Sequence, residues 1–228
     1  MPQTSKMKPV LLIVTAILLA GGIALYMSRQ GSAESADNSG QAAKTASSGA
    51  AAAPAGGGHV RGAADAPVTL LEFGDYQCPT CGLYHPITNE LLARFNGKLK
   101  LEFHHFPLIT AHPNAMNAAL AAEAAAEQGK FWEMHDMLFK NQNVWAPNRG
   151  APTLFVQYAL QIGIDSNKFM QAMRSPDTQA RVLDDVRRGN DVVKGTPTFL
   201  INGVLVPGLP DLEGLSDRIK AQLQALGK

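Results

Sequence analysis

Cysteine is scarce, with two in 228 residues. Secreted scaffolds held by disulfides are far richer in it, so the fold must rest on an apolar core. Charge is thin as well, at 17% of residues, and nearly balanced, with 20 Lys and Arg against 19 Asp and Glu. No stretch gathers a basic patch suited to phosphates, which argues against a nucleic-acid partner. Aromatic residues make up 7%, and no segment repeats. Apolar residues, at 46%, are what the chain has in quantity. That is enough for one full core at this length and too much for a disordered chain. The two cysteines also lie within four residues, at Cys78 and Cys81.

The chain divides into three parts. Pro9 to Met27 is a 19-residue run without a charge, preceded by Lys6 and Lys8 and followed by Arg29. At about 1.5 Å per residue a helix of that length matches a bilayer's hydrocarbon thickness. It reads as an uncleaved signal-anchor, the alternative being a signal peptide cleaved near Gly31-Ser32-Ala33. The flanking charges favour an N-in orientation, with everything after residue 30 outside the cytoplasm. In Gly31 to Gly58, 21 of 28 residues are Ala, Gly or Ser. Such a segment cannot bury enough surface to order itself and reads as a flexible tether of about 30 Å. Residues 59–228 remain as one domain of near-zero net charge.

Within that domain Val68 to Phe73 is apolar on both faces except at Glu72, as a doubly covered strand should be. A helix is expected from Pro79, with Cys78 at its N-cap, Pro86 kinking it, and Leu83, Ile87, Leu91 and Phe95 as its buried face. Lys98 to Phe106 alternates as a half-buried strand, completing a βαβ unit. From about residue 108 to 193 the pattern is helical, including an Ala-rich helix at Ala115 to Ala126 and another at Phe131 to Phe139. Thr198 to Ile201, Asn202-Gly203 and Val204 to Val206 form a hairpin with the pair a type I′ turn demands. A helix over Leu212 to Leu226 closes the domain.

A Cys-x-x-Cys opening a helix after a buried strand has a chemical logic. The first thiol sits at the positive end of the helix dipole, where free N–H groups stabilise its thiolate. The second, one turn on, lies on the same side and close enough for a reducible disulfide. Zinc would need two further ligands at ordered spacing, and none accompanies His85. A c-type haem would need His after Cys81, where Gly82 stands. Redox chemistry is the expectation for Cys78 and Cys81, with no metal and no cofactor beyond their own disulfide. Glu72 shares a strand face with Val68 and Leu70, so it is expected buried beneath the helix with a raised pKa, able to relay protons to Cys81. An exposed glutamate at a strand end is the alternative. His104 and His105 fall on opposite faces of their strand, and with His112 they read as structural or solvent-facing rather than as ligands. Trp132 and Trp145 read as core, with a border to a peptide surface as the alternative.

FGDYQCPTCGLYHP, EFHHFPL, the Ala-rich helix with FWEMHDMLF, and GTPTFLINGV occur in that order. Together they resemble the DsbA-like branch of the thioredoxin superfamily over essentially all of residues 59–228. The resemblance implies an α/β thioredoxin fold with an inserted helical domain at about 108–193, behind the N-terminal anchor. It implies that Cys78 is the nucleophile and Cys81 the resolving cysteine, that Glu72 holds the buried acid position, and that Thr196-Pro197 is a cis-proline loop pairing with an extended substrate. Pro79 and Thr80 tune the pair; strongly oxidising relatives carry His where Thr80 stands, and often Val where Thr196 stands. The implied activity is disulfide formation in exported, cysteine-containing proteins by an enzyme in the inner membrane, with a quinone-linked membrane partner as its reoxidant. The alternatives are a reductase or isomerase of the same fold, served by a membrane reductant, and a non-catalytic thioredoxin-like metal-binding or interaction module.

Overall fold

The computed structural model describes residues 57–228. Five strands form one sheet: β1 (His59–Gly62), β2 (Val68–Gly74), β3 (Leu99–His105), β4 (Thr198–Ile201) and β5 (Val204–Leu205). Their order is β1-β3-β2-β4-β5. The VTLLEF run therefore lies in the middle, parallel to β3 and antiparallel to β4. Helix α1 (Pro79–Arg94) joins β2 to β3, which is the expected βαβ unit. Asn202 and Gly203 both have positive φ, 48° and 80°, as a type I′ hairpin turn requires.

Six helices lie between β3 and β4, where the resemblance places an insertion. They are α2 (Ala115–Ala126), α3 (Phe131–Lys140), α4 (Gln142–Trp145), α5 (Ala151–Gln161), α6 (Ser166–Ala172) and α7 (Pro176–Gly189); α8 (Leu212–Ala225) ends the chain. The Ser175 hydroxyl accepts from the Asp177 N–H and Pro176 takes the first turn, so the Ser-Pro pair caps α7. One sheet face, with Val68, Leu70, Leu99, Leu101 and Phe199, packs on α1 and α8. The other, with Leu71, Phe73 and Leu200, packs on Phe106 and the end of α7. There a Cβ at Gly189 would stand 2.8 Å from the Phe106 ring, which is why only glycine fits.

Two expectations need correction. Leu83 is 70% exposed, and α1 buries Cys81, Tyr84 and Thr88 together with the expected Leu91. Cys81 must point inward to meet Cys78, and that rotation turns Leu83 out to solvent. Strand β1 was not anticipated, because four residues alternating between partial burial and exposure carry little signal. It pairs antiparallel with β3 at the sheet edge. The expected anchor at Pro9–Met27 and nearly all of the tether fall outside the described residues. Among the described residues, no helix is long and apolar enough to cross a membrane.

Candidate functional site

Strand β2 runs through Asp75, Tyr76 and Gln77 into Cys78, which takes extended backbone angles as the N-cap of α1, with Pro79 in the first turn. Both cysteines are free thiols. The Cys78 sulfur lies 3.3 Å from the Thr196 carbonyl, across a cis Thr196-Pro197 peptide. The loop before β4 thus faces the start of α1, bringing Thr196 and Pro197 beside the cysteine pair. Thr80 is partly buried and Pro79 exposed beside them.

The two thiols are driven apart. Cys78 falls from the ordinary thiol value to about 5, chiefly through a hydrogen bond from Cys81. Burial opposes that change, while the Thr196 side chain and the backbone N–H groups of Cys81 and Thr80 support it. The last two are the unpaired donors of a helix start. The Thr196 hydroxyl is itself buried, with no partner at hydrogen-bonding distance, and so is free to turn to the sulfur. Cys81 is fully buried and pushed well above its ordinary value, first by burial and then by its bond to Cys78. At neutral pH the pair is one thiolate and one thiol.

Glu72 is 2% exposed, which excludes the exposed strand-end alternative. It lies between Phe103 and Phe199 on the neighbouring strands, and its Oε1 has no hydrogen-bond partner. Burial, aided by the charge on Cys78, raises its carboxyl to about 8. It therefore holds a proton at neutral pH, as a relay to a buried thiol must.

Several residues shaping this site carry no signal in sequence. The buried Asp75 carboxylate accepts from the N–H groups of Gln77 (2.8 Å) and Leu108 (2.9 Å) and from His112 Nδ1 (2.6 Å). Its own N–H donates to the Cys81 sulfur at 3.5 Å. Gln142, on α4, donates its amide to the carbonyls of Tyr76 (2.7 Å) and Cys78 (2.9 Å). A Cβ at residue 82 would stand 2.6 Å from the Gln142 Oε1, so Gly82 admits this clamp. Gln142 is 64 residues from Cys78, and no local pattern marks it.

His104 and His105 do diverge. His104 bonds Asp185 and Glu102, while His105 bonds Glu123 beneath α2. Trp145 is fully buried; Trp132 is part-buried, with its indole N–H on the Val60 carbonyl and the Arg61 guanidinium 4.4 Å over its ring. Two donor sets gather away from the cysteines, His59 with His105 and Glu123, and His85 with His135 and Asp136.

A family model described as Thioredoxin matches residues 54–221. The fold is similar to oxidised BdbD from Bacillus subtilis, with TM-score 0.67 and 26% identity over 74% of this chain and 94% of that one. It is also similar to a thioredoxin-like oxidoreductase from Silicibacter pomeroyi DSS-3, with TM-score 0.62 and 25% identity over 74% and 93%. The chain belongs to the thioredoxin superfamily, in its DsbA-like branch of thiol–disulfide oxidoreductases. Alpha-DsbA1 of Wolbachia pipientis shares the fold, with TM-score 0.66 and 19% identity over 75% and 94%. Enzymes of this DsbA-like branch work with their own disulfide. A curated relative, the Na(+)/H(+) antiporter NhaA 1 of Salinispora arenicola (strain CNS-205), is 41% identical over 160 residues. The match takes in 69% of this chain and 24% of that protein, so the chain spans about a quarter of its length. The antiport in its name belongs to that protein.

Proposed function

We propose that the protein is an extracytoplasmic oxidase that forms disulfides in exported, cysteine-containing proteins, held at the inner membrane by Pro9–Met27 through the Gly31–Gly58 tether. The observation that carries this reading is the opposed titration of Cys78 and Cys81. A thiolate that persists at neutral pH favours the reduced pair, and a pair favoured when reduced is an oxidant. Of the depression at Cys78, only the part between about 5 and pH 7 counts at neutral pH. Two units correspond to ~3 kcal/mol, or roughly 60 mV of added oxidising power.

The reaction starts from the Cys78–Cys81 disulfide. A substrate thiolate attacks the Cys78 sulfur, forming a mixed disulfide, and the Cys81 sulfur leaves with the electron pair of the broken bond. Glu72 supplies the proton it takes up. A second thiolate of the substrate then attacks the substrate's own sulfur in the mixed disulfide, and Cys78 leaves as its stabilised thiolate. The substrate gains a disulfide and the enzyme ends as a dithiol. The Thr196-Pro197 loop pairs with the substrate backbone as an added strand. A quinone-linked membrane partner takes the two electrons and restores the disulfide.

Equilibrating the full chain with glutathione buffers, and counting thiols open to alkylation, tests the direction of transfer. A potential above about −150 mV supports the oxidase, a value near −180 mV suits an isomerase, and one below about −220 mV suits a reductase. Labelling of Cys78 by a membrane-impermeant thiol reagent on intact cells tests the compartment.

A further inference from the structure

Away from the cysteines, His59 on β1, His105 on β3 and Glu123 on α2 converge. His59 Nε2 lies 2.6 Å and His105 Nε2 2.9 Å from the same oxygen, Glu123 Oε1. The three ligand atoms lie within 4.8 Å of one another. We propose that this cluster is a binding site for a zinc-class divalent ion, clasping the first strand of the domain to the sheet and to the helical insertion.

The donor set, two imidazole nitrogens and one carboxylate oxygen, is the N/O chemistry that zinc takes. In a tetrahedral site with bonds of about 2.0–2.1 Å, neighbouring ligand atoms stand roughly 3.3 Å apart. Two edges of the triangle therefore need to open by about half an ångström, a movement well within side-chain reach. The rings are already aimed. His59 stacks on Phe131 with centroids 3.4 Å apart, and His105 is wedged against Tyr76, Phe103 and Phe131. His105 Nδ1 has no partner, so the ring proton can sit there and leave the Nε2 lone pair facing the cluster.

The second carboxylate oxygen, Glu123 Oε2, is held at 2.8 Å by Arg181 Nε. That bond fixes the carboxylate's orientation from outside, as the supporting groups of metal ligands do, while the guanidinium charge weakens the site by repulsion. A cavity of about 380 Å³, lined by His59, Glu123, Arg181 and Asp185 among others, opens onto the cluster. It supplies an entry path and room for water as fourth ligand. The other candidate, His85 with His135 and Asp136, is less suited. The Asn89 amide lies 3.1 Å from His85 Nε2, the atom that would ligate, and the Tyr76 hydroxyl occupies His135 Nδ1.

The test uses the full chain with Cys78 and Cys81 oxidised, so that no thiolate competes, and Co²⁺ as a spectroscopic probe for Zn²⁺. One equivalent should bind, with visible bands of N/O coordination and no sulfur charge-transfer band, and Zn²⁺ should displace it. His59→Gln keeps a hydrogen-bonding side chain over Glu123 but removes an imidazole. Its affinity should fall by more than about tenfold, since losing even a supporting group around a metal costs that much. The glutathione potential of this variant should match wild type, which shows that it folds and separates the outcome from the redox reading. Absence of a one-to-one complex in wild type, or binding unchanged in His59→Gln, overturns the proposal.

Discussion

Around Cys78 three ionisable groups share one pocket with no ion pair among the described residues: a thiolate, a buried thiol at Cys81, and a protonated carboxyl at Glu72. The histidines are treated differently. Each of the six has a carboxylate or phenol oxygen within 3.1 Å, from His112 on Asp75 to His135 on the Tyr76 hydroxyl. Both regions are polar and largely buried, yet one leaves its groups without a charged partner, shifted by burial at Cys81 and Glu72 and by hydrogen bonds at Cys78, while the other, His135 apart, sets imidazoles against carboxylates. Buried pairing produces structure. His104, against burial, is raised to about 9 by Asp185 and Glu102, and Glu123 is held well below the usual carboxylate range by hydrogen bonds from His105 and His59. Unpaired burial produces reactivity, because a group held away from its preferred protonation state has chemistry to do.

Breaking the reactive side has the largest effect. Cys78→Ser should abolish disulfide transfer altogether, whereas Cys81→Ser should keep the nucleophile and accumulate mixed disulfides, visible as species that disappear on reduction. Breaking the paired side comes next, without touching transfer. His104→Gln leaves Asp185 and Glu102 without their cation, which should cost about 3–5 kcal/mol in denaturant unfolding. In the wild type, the raised His104 pKa means its contribution is complete below about 6.5 and is lost as pH rises through about 9. The stability gap between variant and wild type should therefore narrow over that window.

Glu72 has the opposite consequence. Its folded pKa of about 8 lies above the ordinary 4.5, so folding is penalised increasingly as pH rises from about 4.5 toward 8. At pH 7 the penalty is roughly 3 kcal/mol. Glu72→Leu should raise the stability of the oxidised protein by up to about that amount while slowing release of Cys81 in single-turnover exchange. A gain in stability together with a loss of rate is the signature of a residue kept for chemistry. The smallest effect belongs to Leu83→Ser, expected to change stability by less than about 0.5 kcal/mol because the side chain is already in water.

Leu83 also shows where sequence reading stops. Spacing alone placed it in the core with Ile87 and Leu91, since a four-residue repeat cannot tell which of two overlapping stripes faces inward. Burial of Cys81 decides that, and it is a tertiary fact. The strand–helix–strand unit, the capped helices and the Asn202-Gly203 turn were legible because each rests on contacts between near neighbours. So were Cys78 and Cys81, whose spacing is local. Thr196 and Pro197 were legible through the resemblance, more than a hundred residues away. Gln142 and Asp75 were not, because a single amide or carboxylate reaching backbone across a fold leaves no periodicity. The histidine pairs escaped for the same reason: His59 and Glu123 are 64 residues apart.

The central claim is that Cys78 is a stabilised thiolate. Titrating the ultraviolet absorbance of thiolate in the reduced full chain, against Cys78→Ser as the blank, measures it directly. A transition belonging to Cys78 with its midpoint near 5 is the predicted result. A midpoint at the ordinary thiol value, about 8.5 or above, would contradict it.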